Sequence, residues 1–280
     1  MAIKLILLDL DGTLLTGDKK ISPANYAALE RCAANGVHIV PSTGRIYSGM
    51  PQVVRDLPFV RYVVAVNGAQ IYDAKEDKIL CREEIPLDVS FRVFAEMDKL
   101  PVIYDCYMDG FGYDDAAMYE RIDEFISEPP VNAMVKNTRK PVPDLRAFLR
   151  EQGCPLQKIQ MFFRDMDRRA RELERLPGLF PDLVVTSSIT NNIEFNAKNA
   201  NKGEALRFLC RHLGLDVSES MSFGDSSNDL SMIIAAGVGV AMANADRALL
   251  DAADYVTDTN DSDGVAKAIA RFCPELGLSY

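Results

Sequence analysis

Asp9 and Asp11 close an apolar run that begins at Ile3, Asp225 and Asp229 follow a second run at 220–223, and Thr43 and Gly44 follow a third at 37–40. Ligands of open α/β sheets bind beyond the carboxyl ends of the strands, so these are the residues that such a sheet would bring together. Carboxylates gathered at one edge repel one another. At an effective dielectric of about 20, two unit charges roughly 4 Å apart cost about 4 kcal/mol. A hard divalent cation is the natural relief, and carboxylates with water suit magnesium. The pair Asp9 and Asp11 carries little weight by itself, because aspartates after strands commonly cap helices or fill turns. Their meaning depends on the elements that place them.

Residues 3–10 are apolar without helical spacing, which predicts a short strand buried on both faces. Ser22 and Pro23 supply an N-cap and a first-turn proline for a helix over 24–35, with Gly36 placed to close it. A strand at 37–40 then completes a right-handed unit with parallel strands. A third strand is expected at 62–66 and a hairpin over 70–85 around a polar turn at 75–78. From about 86 to 189 the texture changes, with more charge and with Pro129, Pro130, Pro141 and Pro143. Helices are expected there at 87–100, 116–126, 144–152 and 166–176, and strands at 102–106, 158–163 and 183–186. After Lys202 and Gly203 the earlier pattern resumes. It comprises a helix at 204–213, the strand at 220–223, a helix at 230–236, a strand at 239–242 and a last helix near 265–272, for which Asp263 is the expected N-cap. The predicted fold is α/β, a doubly wound Rossmann-like parallel sheet formed by 1–85 and 190–280, interrupted by an inserted α+β domain at 86–189.

A chain of 280 residues, 48% hydrophobic and 26% charged, has ample material for two such bodies. Its net charge of −10 opposes non-specific attraction to nucleic acid. The six cysteines are scattered, without zinc spacing, and are expected as reduced thiols. Neither the pattern of a signal peptide nor an apolar run of membrane-spanning length is present, so a cytoplasmic protein without membrane contact is expected. With two histidines, His38 in a predicted strand and His212 near a helix end, a serine–histidine triad or a histidine phosphatase has little to build on. No P-loop signature occurs.

The segment Leu7-Leu8-Asp9-Leu10-Asp11-Gly12-Thr13-Leu14 resembles the first motif of the haloacid dehalogenase superfamily of phosphotransferases. Thr43 matches its second motif, Lys202 its third, and Gly224-Asp225-Ser226-Ser227-Asn228-Asp229 its fourth. The match covers the first and last thirds of the chain. An insertion between the second and third motifs is similar to that of the Cof-like sugar-phosphatase branch, where it forms a cap.

The resemblance implies a magnesium-dependent phosphatase acting on a small phosphorylated metabolite, with sugar phosphates first and cofactor phosphates second. Asp9 would attack phosphorus and Asp11 would carry the proton. Magnesium would be held by the Asp9 carboxylate, the Asp11 carbonyl and Asp225. Thr43, Gly44 and Lys202 would bind the phosphoryl oxygens, with Asn228 contacting phosphate or water on the metal. Asp229 would orient the metal shell or Lys202, and Arg45 would be a further phosphate contact. Where relatives carry proline and glycine before the lysine, this chain has Asn196-Ala197-Lys198-Asn199-Ala200-Asn201, in which Asn199 is expected to take the left-handed conformation. Lys198 is the competing ammonium. Two other functions use related residues, a phosphomutase or phosphotransferase working through the same aspartyl phosphate and a phospho-receiver module. The first separates from a phosphatase by its acceptor and the second by the absence of turnover. Oligomeric state is not legible.

Overall fold

The computed structural model describes residues 2–278 as two compact units. The first comprises the described residues up to Gly44, Met50–Cys81 and those from Asn201 on. Its centre is a parallel five-stranded sheet in the order Tyr255–Val256, Val238–Ala241, Ser220–Gly224, Leu5–Leu8, His38–Pro41. Parallel bridges from Ile39 to Val60 and from Ser42 to Val64 bring Tyr62–Ala65 alongside. That strand then forms an antiparallel sheet with Gln70–Asp73 and Lys78–Arg82.

All four side chains of Leu5–Leu8 are wholly removed from solvent, as a run without alternation requires. Helices cover both faces. Pro23–Ala34 starts at Ser22, whose Oγ accepts from the Asn25 amide at 3.1 Å, and it packs beside Gly264–Phe272. Lys202–Leu213 starts at Asn201, whose Oδ1 accepts from the Glu204 amide at 2.9 Å. The predicted cap of the last helix is corrected. Asp263 has φ of +58° and makes no side-chain capping bond; its carboxylate instead accepts from Ser22 Oγ at 2.5 Å, tying the two helix starts together.

The second unit, Arg45–Gly49 with Arg82–Ala200, is built on a six-stranded sheet in the order Leu183–Thr186, Asn192–Ala197, Lys158–Phe162, Ile103–Met108, Phe111–Asp115, Arg139–Val142. The units therefore divide at 81/82 and 200/201 rather than at 85/86 and 189/190. The strand Asn192–Ala197 pairs on both sides inside this sheet, and Ile85 pairs with Leu156. One face of the sheet packs Cys106, Ile159, Met161, Ile193 and Phe195 against Phe94, Leu149 and Leu176 from three helices. The other face is polar yet buried. Arg139 Nε donates to Asp105 Oδ2 at 2.7 Å and Lys158 Nζ to Glu194 Oε1 at 2.9 Å, all four side chains being almost wholly enclosed.

All six cysteines are free thiols. Among the described residues no helix is long and apolar enough to cross a membrane.

Candidate active site

The site follows from strand register. Leu8 lies opposite both Phe223 and Pro41 in the parallel sheet, so the residues that come next in each strand, Asp9, Gly224-Asp225 and Ser42-Thr43, emerge at one edge. A parallel sheet puts the carboxyl ends of its strands on the same side, and here the chain reverses its winding direction between two neighbouring strands.

Asp9, Asp225 and Asp229 each offer a carboxylate oxygen within 4.8 Å of the others. Lys202 is fully buried between two of them, donating to Asp9 Oδ1 and to Asp229 Oδ1 at 2.6 Å each. The second oxygen of Asp229 accepts from the amides of Asp225 and Ser226, both at 3.0 Å, which fixes the loop carrying Asp225. Thr13 Oγ1 donates to Asp225 Oδ1 at 2.8 Å and Ser226 Oγ to Asp225 Oδ2 at 3.1 Å.

Two glycines allow this closeness. A Cβ on Gly224 would stand 2.4 Å from the Cβ of Asp229, and one on Gly203 would meet the Ser231 carbonyl at 2.4 Å. Gly203 thus lets the helix that begins with Lys202 lie directly on Leu230–Ala235, and its amide donates to Ser231 Oγ. The ammonium is positioned by that contact.

One lysine serves three acids, so negative charge is in excess. Burial pushes the Asp9 carboxyl well above the usual carboxylate range; Lys202 opposes that rise, while Asp229 and Asp225 add to it. Asp225 is pushed up to about 6, by burial first and Asp229 second. Burial works against the charge of Lys202, but Asp229 and Asp9 outweigh it and hold the ammonium above the ordinary lysine value. The donor set, all carboxylate oxygen with excess negative charge in a buried spot, fits a hard divalent cation such as magnesium.

The other expected residues fall as follows. Asp11 lies outside the carboxylate cluster and pairs with Lys19 Nζ at 2.7 Å, its side chain about one-third exposed. The third acid of the cluster is Asp229, which the sequence assigned a supporting place. Thr43 is buried, and its backbone is held at both ends, the amide donating to Val64 O and the carbonyl accepting from Asn67 N. Asn228 Nδ2 donates to Asn67 Oδ1 at 3.1 Å, and a Cβ on Gly44 would stand 3.0 Å from that same oxygen. Arg45 belongs to the second unit, where it donates to the Gly49 carbonyl at 3.4 Å. Lys198 is exposed, and Asn199 does not adopt a positive φ. The loop's work is done by Asn201 as helix cap.

Two residues of the site were not singled out from sequence. Thr13 lies in the first motif, but a hydroxyl four residues after an acid has no periodic signature. Asn67 is buried at the end of Tyr62–Ala65, in a run of three positive φ angles, Val66 at +51°, Asn67 at +56° and Gly68 at +101°. A branched residue in that region is strained by about 1–3 kcal/mol. The turn holds because Gly68 approaches the Asn201 backbone so closely that a Cβ would meet its carbonyl oxygen at 2.5 Å. The dipeptide Asn-Gly was the available signal.

The sequence matches the family described as haloacid dehalogenase-like hydrolase over residues 6–269. It is 32% identical over 270 residues to a protein of Bacillus subtilis (strain 168) named 5-amino-6-(5-phospho-D-ribitylamino)uracil phosphatase, the match covering 96% of each chain. It is 26% identical to the pyridoxal phosphate phosphatase of Escherichia coli (strain K12), across 96% of this chain and 98% of that one. Among solved structures, a haloacid dehalogenase-like hydrolase from B. subtilis superposes with a TM-score of 0.81 at 28% identity, covering 95% of this chain and 99% of the other.

Proposed function

The chain belongs to the haloacid dehalogenase-like hydrolase family, and on that premise we propose that it is a magnesium-dependent phosphatase that cleaves a small phosphorylated metabolite through an aspartyl phosphate on Asp9. The observation that carries this reading is the buried Asp9 carboxylate beside Asp225, Asp229 and Lys202 at the carboxyl edge of the parallel sheet.

Asp9 attacks phosphorus, breaking the bond to the ester oxygen, and water then cleaves the acyl phosphate. Lys202 supplies a fixed positive charge beside the nucleophile, where the phosphoryl oxygens gather charge. Its second bond, to Asp229, keeps the ammonium in place through both halves of the reaction. Asp9, the Asp11 carbonyl and Asp225 would hold magnesium, which when bound offsets the repulsion between two anions. That arrangement leaves the Asp11 side chain to protonate the leaving oxygen and then take a proton from water. Lys19 must release Asp11 for that role. Thr43 and Gly44 bind the phosphoryl group, and Asn228 joins them in a position set by its bond to Asn67.

The inserted unit is proposed as the substrate-specificity cap, meeting the part of the substrate beyond phosphate. Phosphorylated sugars and sugar alcohols are the first candidates for that substrate, and the ribityl phosphate in the name of the B. subtilis relative is of that kind.

The test is phosphate release from a panel of sugar, sugar-alcohol, nucleotide and cofactor phosphates. Hydrolysis of at least one ester is expected with magnesium, with loss of activity on chelation and recovery on adding the metal back. Inactivity on every ester, or turnover indifferent to chelation, would contradict the proposal.

A further inference from the structure

The segment after Asp9 leaves the sheet as a loop, 10–21, and what holds that loop comes from the far end of the chain. Gly12 has φ of +84°, and a Cβ there would stand 2.4 Å from Asp225 Oδ2, so the turn that carries Asp11 is pressed against the Asp225 carboxylate. Its carbonyl is held by Asn244. Asn244 Nδ2 donates to Gly12 O at 2.9 Å, across 232 residues of sequence. The amide oxygen of the same side chain accepts from the Asn260 backbone at 3.2 Å, and Asn260 Nδ2 donates onward to Leu15 O at 2.8 Å. One residue further, Asp261 Oδ1 accepts from the Gly17 amide at 2.8 Å. The loop is exposed at 17–20, and these bonds give it a template.

The turn that carries Asn244 also serves the other carboxylate loop. The Asp246 amide donates to Asp225 O at 2.8 Å, and the Met242 amide to Gly224 O at 3.0 Å. A short stretch, 242–246, therefore touches the loop of Asp11 through a side chain and the loop of Asp225 through its backbone. It sets the spacing between them.

We infer that Asn244, backed by Asn260, is a positioning residue for the reaction: by holding the Gly12 carbonyl it fixes the Asp11-Gly12-Thr13 turn against Asp225. This rests on the phosphatase reading above. Asn244 touches no reacting atom and is solvent-exposed. Removing its amide should therefore cost little stability while loosening a turn on which proton transfer depends, and displacements of about 1 Å at such positions can cost on the order of 100-fold.

The experiment compares wild type with Asn244→Ala and Asn244→Asp, the latter keeping the oxygen that accepts from Asn260 but losing the donor to Gly12. Asn35→Ala serves as a control, removing a similar exposed bond, to Arg31 O, at a remote helix end. Both Asn244 variants are expected to lose kcat by about 10- to 100-fold with KM changed by less than about twofold and the melting temperature lowered by no more than about 4 °C. Hydrogen–deuterium exchange of the peptide covering residues 9–17 should rise in both while that of the sheet strands stays unchanged. Asn35→Ala should match wild type throughout. Unaltered kcat together with unaltered exchange in both variants would overturn the inference, as would a loss confined to KM or shared by the control. A wild type that hydrolyses nothing fails the phosphatase reading instead, and the exchange measurement still reports whether Asn244 holds the loop.

Discussion

Asp9→Asn protein is expected to fold normally and to release phosphate at least about 10⁴-fold more slowly than wild type, the scale of loss when a covalent nucleophile is removed. The amide is nearly the same shape as the carboxylate but cannot form an acyl phosphate. Its effect on stability should run the other way. Burial and the neighbouring acids already push the Asp9 carboxyl well above the usual range. An acid whose pKa is raised on folding is destabilising when ionised, and that cost is present above the folded pKa and absent below the unfolded one. In metal-free buffer at neutral pH the variant should therefore melt at or above the wild-type temperature. Thermal melting alongside the rate assay separates a lost nucleophile from a lost fold.

Lys202→Met should be damaging on both counts. The ammonium has no solvent exposure and is held by two carboxylates at 2.6 Å. Methionine fills much of the volume, but Asp9 and Asp229 are then buried together without a cation. Breaking a buried ion pair from one side typically costs about 3–5 kcal/mol. For a chain of this size, a fall of about 10 °C in melting temperature is expected. The loss of positive charge at the phosphoryl group should lower kcat by at least about 100-fold. Added magnesium should restore part of the melting temperature, because it answers the same excess charge, but not the rate. A Lys202→Met protein as stable and active as wild type would remove the ammonium from the site and leave Lys198 to be tried.

The motif residues were legible because they sit where buried strands stop. The run from Ile3 ends in acid, as does the run before Gly224, and parallel pairing at Leu8 and Phe223 brings both ends together. Periodicity was enough for the helices of the first unit, and the cap at Ser22 was read correctly, whereas the one assigned to Asp263 was not, because its carboxylate turns to Ser22 Oγ instead. The inserted unit was harder to read because part of its interior is charged. Asn192–Ala197 alternates polar and apolar residues with the period of a strand, but both faces are buried, so Asn192, Glu194 and Asn196 gave no sign of an inside. Phe111–Asp115 and Arg139–Val142 hide in the same way, with Asp114 and Arg139 enclosed.

Within the site, the residues missed act through backbone conformation or long-range bonds. Asn67 reaches Asn228 from a strained left-handed turn, and Thr13 reaches Asp225 across 212 residues. Neither relation has a local pattern. The central role of Asp229 was understated because only half of it is local: its bonds to the Asp225 and Ser226 amides form a capping box within four residues, whereas the ammonium that meets its other oxygen comes from Lys202.

The most direct test of the account is to mix the protein with magnesium and an active ester carrying labelled phosphate, quench with acid within a single turnover, and locate the label by peptide mapping. The account predicts an acid-stable, base-labile phosphate on the peptide that contains Asp9, at a level that rises and decays with turnover and is absent from Asp9→Asn. Hydrolysis at full rate without label on the protein, or with label on another residue, would contradict it.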